Sequence, residues 1–206
     1  MKRGQGVVLV AIVLAVAVWY LRSDVPRAAR PTAGTAIIAF GDSLVEGRGA
    51  TPGGDFVSVL SRQIGVPIIN AGRSGDTTQA ALARLDPDVL SRNPRIVIVL
   101  LGGNDFLRRV PPEQTFANLT TIVERIRATG AAVVLIGVNV GLFRDPYGDE
   151  FEQLARRTSA GLVPDILDNI IGDNARMADS IHPNDVGYQL IADRVEPALQ
   201  ELIEAE

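Results

Sequence analysis

A chain of 206 residues with 47% hydrophobic side chains has room for one domain with a sizeable core and a short appendage. It contains no cysteine, one histidine (His182) and one lysine (Lys2), which excludes disulfides, thiolate metal sites, a cysteine nucleophile, a multi-histidine metal site and lysine chemistry in the folded body. The net charge of −4 is uneven. Residues 1–34 hold five basic side chains and one acid, leaving 15 of the 20 basic and 23 of the 24 acidic residues to the rest. An acidic body without basic clusters is a poor partner for nucleic acid.

Lys2 and Arg3 precede an apolar run, Val7 to Leu21, that ends in Trp19-Tyr20-Leu21 and is followed by Arg22. With Gly4, Gln5 and Gly6 the stretch approaches the ~20 residues of a membrane helix. Bulky aromatics at its end suit a membrane interface better than a signal-peptidase site, and no A-x-A pattern follows. Residues 1–21 are therefore predicted to be an uncleaved hydrophobic helix, a signal-anchor or transmembrane segment, with cleavage and secretion as the alternative. Residues 22–35, with two prolines and no periodicity, read as a linker. The expected arrangement is a single-pass anchor in the bacterial inner membrane with the folded body, 36–206, on the periplasmic or outer side.

From Ala36 onward, short apolar runs at 36–40, 66–69, 96–101 and 132–138 are rich in Ile and Val and bounded by Gly, Asn or Pro, as in strands buried on both faces. Amphipathic stretches at 54–64, 77–85, 113–129 and 148–160 read as helices, with a last one over 185–204. Pro112-Glu113 opens the third and Gly130 closes it. This alternation predicts an α/β fold with a parallel sheet covered by helices on both faces. Ligands bind such sheets at the carboxyl ends of the strands, so functional residues are expected just after the apolar runs.

Three loops satisfy that expectation, and a fourth near the end of the chain supplies what they lack. Gly41-Asp42-Ser43-Leu44 follows the first run and sets Ser43 at a strand-to-helix turn, where free N–H groups favour developing negative charge; a plain helix cap by Asp42 or Ser43 explains the same residues. Asn70 to Thr78 follows the second run and holds Gly72 and Gly75. Gly102-Gly103-Asn104-Asp105 follows the third, and a carboxamide there can donate to an oxyanion. Asp179-Ser180-Ile181-His182 supplies the one possible imidazole base, with an acid three residues away to hold Nδ1. Each of the first three loops is also explicable as an ordinary turn or cap, and a lone histidine as structural or simply exposed. Together the four provide a nucleophile, a base, an orienting acid and oxyanion donors.

These blocks resemble the SGNH/GDSL hydrolase superfamily, and the wording Ser74-Gly75-Asp76-Thr77 with Gly102-Gly103-Asn104-Asp105 is similar to its bacterial thioesterase I/lysophospholipase/arylesterase branch. The resemblance runs along most of residues 36–204. It implies a three-layer, flavodoxin-like α/β/α sandwich on a five-stranded parallel sheet. It also implies a serine esterase for acyl or aryl esters and thioesters, working through an acyl-enzyme without metal or organic cofactor. Ser43 becomes the nucleophile, with Asp179 and His182 completing a triad. The oxyanion donors become Ser43 N–H, Gly72 N–H and the Asn104 side chain. Leu44, Phe106, Leu107, Leu142 and Phe143 lie in or beside the active-site loops and suggest an apolar substrate pocket, together with Val45 and Val110. A carbohydrate O-acetylesterase and a catalytically silent, membrane-tethered binding module are the competing expectations.

Overall fold

The computed structural model describes residues 25–138 and 147–204. The expected anchor 1–21, and Leu142 and Phe143 of the expected pocket, lie outside the described residues. Among the described residues no helix is long and apolar enough to cross a membrane.

Where branched apolar residues run together the chain forms strands: β1 (Ala36–Gly41), β2 (Ile68–Gly72), β3 (Pro94–Leu100), β4 (Ala132–Ile136) and β5 (Gly161–Val163). They pair in parallel in the order β2-β1-β3-β4-β5. Between them lie α1 (Ser43–Glu46), α2 (Phe56–Ile64), α3 (Thr78–Ala83), α4 (Leu85–Asp88), α5 (Gly103–Leu107), α6 (Pro112–Arg127) and α7 (Gly148–Thr158), and α8 (Asp185–Ile203) follows β5. The helix ends obey their caps. Asp55 accepts from Ser58 N–H at 2.9 Å ahead of α2, and Asn184 accepts from Val186 and Gly187 N–H ahead of α8.

Alternate strand residues serve two separate cores. Ile37, Ala39, Ile96, Ile98, Val134 and Ile136 pack beneath α2 and α8. Ile38, Phe40, Val97, Val99, Val133 and Leu135 pack beneath α6, α7 and α3. The period of two along each strand thus fills both faces and makes the three-layer α/β/α sandwich. Each fully buried Val, Ile, Leu or Phe among them contributes about 1.5–3 kcal/mol of transfer free energy.

Three expectations shift. The fifth strand is only three residues long, Gly161–Val163, too short for a sequence pattern to mark. β2 starts later and runs through Asn70-Ala71-Gly72, because Gly41 pairs with Gly72 and extends the ladder across residues that read as a turn. Residues 25–35 are not a free linker. Pro26 O accepts from Leu162 N–H, Ala29 N–H donates to Ser159 O, Thr32 N–H to Gly130 O and Thr35 N–H to Asn93 O. The segment thereby covers the outer edge of β5 and crosses beneath β4 and β3 before entering β1. An exposed strand edge is a liability that a paired segment removes.

The strand order reverses between β1 and β3, since β1 is flanked by β2 on one side and β3 on the other. A crevice opens at the carboxyl ends of strands at such a point. Ser43 follows β1 and Asn104 follows β3, so both border it.

Candidate active site

Ser43 is the first residue of α1, directly after β1, with a relative exposure of 9%. Its neighbour Asp42 does cap the turn, as the simpler reading of the motif expects: Oδ1 accepts from Leu44 N–H at 3.0 Å. The cap and the serine coexist. The capped turn fixes Ser43, and His182 Nε2 stands 3.1 Å from its Oγ. The other ring nitrogen, Nδ1, lies 2.8 Å from Asp179 Oδ2.

Local bonds hold the Asp179–His182 loop. Asp179 Oδ1 accepts from Ile181 N–H and His182 N–H, both at 2.8 Å, so one carboxylate oxygen folds the loop while the other faces the imidazole. The His182 ring hydrogen bond, followed by these two backbone N–H groups, holds the Asp179 carboxyl well below the usual carboxylate range. A second loop supports the first. Tyr188 OH donates to Arg48 O at 2.7 Å, and Thr51 Oγ1 donates to Asp185 Oδ2 at 2.6 Å. The Thr51 hydroxyl and N–H lower the Asp185 carboxyl.

A buried arginine, unmarked by any local motif, braces the Ser43 side. Arg84 Nε donates to Asp76 Oδ2 at 2.6 Å, NH1 to Asp88 Oδ2 at 2.8 Å and to Ala71 O at 2.9 Å, and NH2 to Gly41 O at 2.9 Å. Its guanidinium lies 4.5 Å from the centre of the Phe40 ring. One side chain thus ties the ends of β1 and β2 to the loop beyond β2. A planar, five-donor fork suits this task and an ammonium does not.

Asn104 donates to Asp42 Oδ2 at 3.2 Å and to Asp76 O at 3.0 Å, bridging the crevice. Burial pushes the Asp42 carboxyl up to about 6, opposed by the bonds from Leu44 N–H and Asn104. Asp105, fully buried, accepts from Thr78 N–H at 2.8 Å and Thr78 Oγ1 at 2.6 Å. It joins α5 to the start of α3.

Gly72 departs from the expected oxyanion role. Its N–H is donated to Asn70 Oδ1 at 2.9 Å, and Asn70 Nδ2 donates to Val45 O at 2.7 Å. A Cβ on Gly72 would lie 2.1 Å from Glu46 N, so this glycine lets α1 sit on β2. Gly75, three residues on, has φ +83° and directly precedes Asp76, whose carbonyl holds Asn104. Ser74 beside it is bonded to Glu46, and Gly75 O accepts from Arg108 at 2.8 Å. No described group accepts from Gly75 N–H.

The cleft beside Ser43 encloses about 430 Å³ and is lined by Leu44, Phe106 and Leu107, as the sequence predicts, and also by Val138, Leu167, Ile171 and Ile181. Its volume falls in the range of small-molecule sites. Val45 is buried in the core instead, and Val110 is not among the lining residues. The missed apolar wall follows β4 and the unmarked β5. Among the described residues no cluster of three or more His, Asp or Glu side chains could hold a metal ion.

Residues 39–190 match the GDSL-like lipase/acylhydrolase family. The chain is 30% identical over 182 residues to an esterase, TesA, of Pseudomonas aeruginosa, covering 83% of this chain and 90% of that protein. It is 31% identical over 182 residues to the thioesterase 1/protease 1/lysophospholipase L1 of Escherichia coli K12, covering 84% and 88%. The crystal structure of a psychrotrophic esterase, EstA, from Pseudoalteromonas sp., inhibited by monoethylphosphonate, superposes with a TM-score of 0.74 at 28% identity, over 82% of this chain and 98% of that one. The parallel five-stranded fold, the match along most of the body and these relatives agree: the chain belongs to the GDSL-like lipase/acylhydrolase family of SGNH hydrolases and is a carboxylic ester hydrolase.

Proposed function

We propose that this protein is a serine esterase that cleaves acyl or aryl esters and thioesters through a Ser43–His182–Asp179 triad. The observation that carries the reading is the relay of 3.1 Å from Ser43 Oγ to His182 Nε2 and 2.8 Å from Nδ1 to Asp179 Oδ2. Asp179 holds the proton on Nδ1, which leaves Nε2 as a base. Ser43 Oγ attacks the carbonyl carbon as Nε2 takes its proton, and the imidazolium returns that proton to the leaving alcohol or thiol. Water, deprotonated by the same nitrogen, then releases the acid from the acyl-enzyme.

The developing oxyanion is received by Ser43 N–H and Asn104 Nδ2, with Gly75 N–H replacing Gly72 as the donor from the loop after β2. Gly72 N–H is spent on Asn70, whereas Gly75 lies beside the carbonyl that holds Asn104. Asn104 takes up this duty by sharing the longer of its two bonds, the 3.2 Å contact to Asp42; catalytic hydrogen bonds commonly tighten only when the transition state is bound. The inhibition of a related esterase by a phosphonate, a tetrahedral anion of the same shape as the intermediate, supports an activated serine here. The apolar wall of Leu44, Phe106, Leu107, Val138, Leu167 and Ile171 favours an acyl or aryl group over a sugar.

Hydrolysis of p-nitrophenyl esters from two to sixteen carbons, by the parent and by Ser43→Ala, tests both parts. Turnover by the parent alone, rising with chain length, is the expected result. Equal activity of the two proteins would refute the nucleophile, and a strict acetyl preference would favour the carbohydrate O-acetylesterase. We further propose, on the apolar run Val7–Leu21, that the body is held outside the bacterial inner membrane by an uncleaved anchor.

A further inference from the structure

We propose that the mouth of the cleft is itself a lipid-docking surface: the rim formed by Phe106, Leu107, Ile171 and Ile181 rests on the bilayer that holds the N-terminal apolar run, so that ester substrates pass from the membrane into the cleft. The inference rests on the proposed esterase reading for what enters the cleft, but not for the contact itself.

Two independent observations point to the same end of the molecule. The first is where apolar surface is exposed. Among the described residues five large hydrophobic side chains are exposed, and four of them line this cleft: Phe106 at 41%, Leu107 at 59%, Ile171 at 54% and Ile181 at 46%. They come from three segments remote in sequence, after β3, after β5 and from the His182 loop, so their convergence is a property of the fold. A contiguous exposed apolar patch marks a surface for a ligand, a partner or a membrane.

The second observation is the direction of the chain that joins the body to the apolar run. Pro26 O pairs with Leu162 N–H and Ala29 N–H with Ser159 O. As the numbers rise from 26 to 29 they fall from 162 to 159, so the segment runs antiparallel to β5. Followed backwards from Ala29 to Val25, the chain climbs towards the carboxyl end of β5. That is the end from which Asp165, Leu167 and Ile171 continue into the cleft wall. Only residues 22–24 separate Val25 from Leu21, a reach of roughly 14 Å even when fully extended. The chain leading from the apolar run therefore enters the body at the carboxyl end of β5, the end of the strands at which the exposed rim lies. A segment leaving from the opposite end of the strands would have turned the rim away from the membrane. The acidic balance of the body argues for hydrophobic seating rather than attraction to anionic headgroups.

Because the chain lacks cysteine, single labels report without background. Full-length protein carrying Leu107→Cys, Ile171→Cys or, at the amino ends of the strands, Arg92→Cys would be labelled with a nitrobenzoxadiazole dye and reconstituted into phosphatidylcholine vesicles containing nitroxide-labelled lipid. The expected result is severalfold stronger quenching, with a blue-shifted emission, at 107 and 171 than at 92, and the reverse order for quenching by aqueous iodide. Equal lipid quenching at all three positions, or no association of the protein with vesicles, would overturn the docking surface. The readout does not depend on turnover, so a loss of esterase activity with intact quenching would count against the function proposed above and leave the docking intact.

Discussion

The two halves of the proposed catalytic relay are held by opposite means. Ser43 sits at 9% exposure on a capped turn, above strand ends that Arg84 ties together, with Arg84 and Asp76 side chains each 8% exposed. Asp179 is 52% exposed in its side chain, and the His182 loop is folded by bonds from residues two and three positions away. The proposed nucleophile is placed by long-range packing and buried charge, the proposed base by local hydrogen bonding. It follows that damage on the Ser43 side should appear as lost stability, whereas damage on the His182 side should appear as lost rate in a protein that still folds.

The sharpest separation comes from Asp179→Asn. Loss of tautomer control should reduce kcat by about 10⁴, while the thermal midpoint stays close to that of the parent because the group is exposed. A variant with near-normal turnover would remove Asp179 from the mechanism. Arg84→Leu should do the opposite, costing about 3–5 kcal/mol by leaving the buried Asp76 carboxylate unpaired, measured by urea denaturation. An unchanged midpoint there would mean that the strand ends are held by packing alone.

Asn104 lies between the halves and sharpens the comparison. Asn104→Ala should lower kcat by roughly 10²–10³ with KM little changed, as measured by steady-state ester hydrolysis; a pure KM effect would make Asn104 a substrate-binding group. The smallest expected effect concerns Asp42. Its carboxyl is raised from 3.8 to about 6 by burial, so the folded state holds a proton that the unfolded state has released between those values. The ionised form is the destabilised one, and stability therefore falls as pH rises from about 4 to about 6. Asp42→Asn should flatten that part of the curve of urea midpoint against pH; parallel curves would show that Asp42 does not titrate in this window.

The same contrast explains what the sequence discloses. The Asp179–His182 pairing was legible because its partners are three residues apart, and the Ile/Val runs of β1, β3 and β4 were legible because burial on both faces leaves no polar alternation. Arg84 was not legible, since apart from its i,i+4 partner Asp88 its acceptors Gly41, Ala71 and Asp76 meet only after β1, β2 and the loop beyond β2 have assembled. Gly72 takes an oxyanion role from the resemblance alone; its pairing with Gly41 and the approach of Glu46 give it a packing task. Gly75, with its positive φ just before Asp76, was in plain view in the same loop, but nothing local ranks it above Gly72. β5 is too short to show a period, and with it went the cleft wall at Leu167 and Ile171.

The most direct test of the central claim is covalent labelling of the intact protein by a fluorophosphonate, read by mass spectrometry across pH, in parent, Ser43→Ala and His182→Ala. The account predicts one adduct, on Ser43, that forms in the parent, is absent in Ser43→Ala and forms orders of magnitude more slowly in His182→Ala. An adduct on another residue, or equal rates with and without His182, would contradict it.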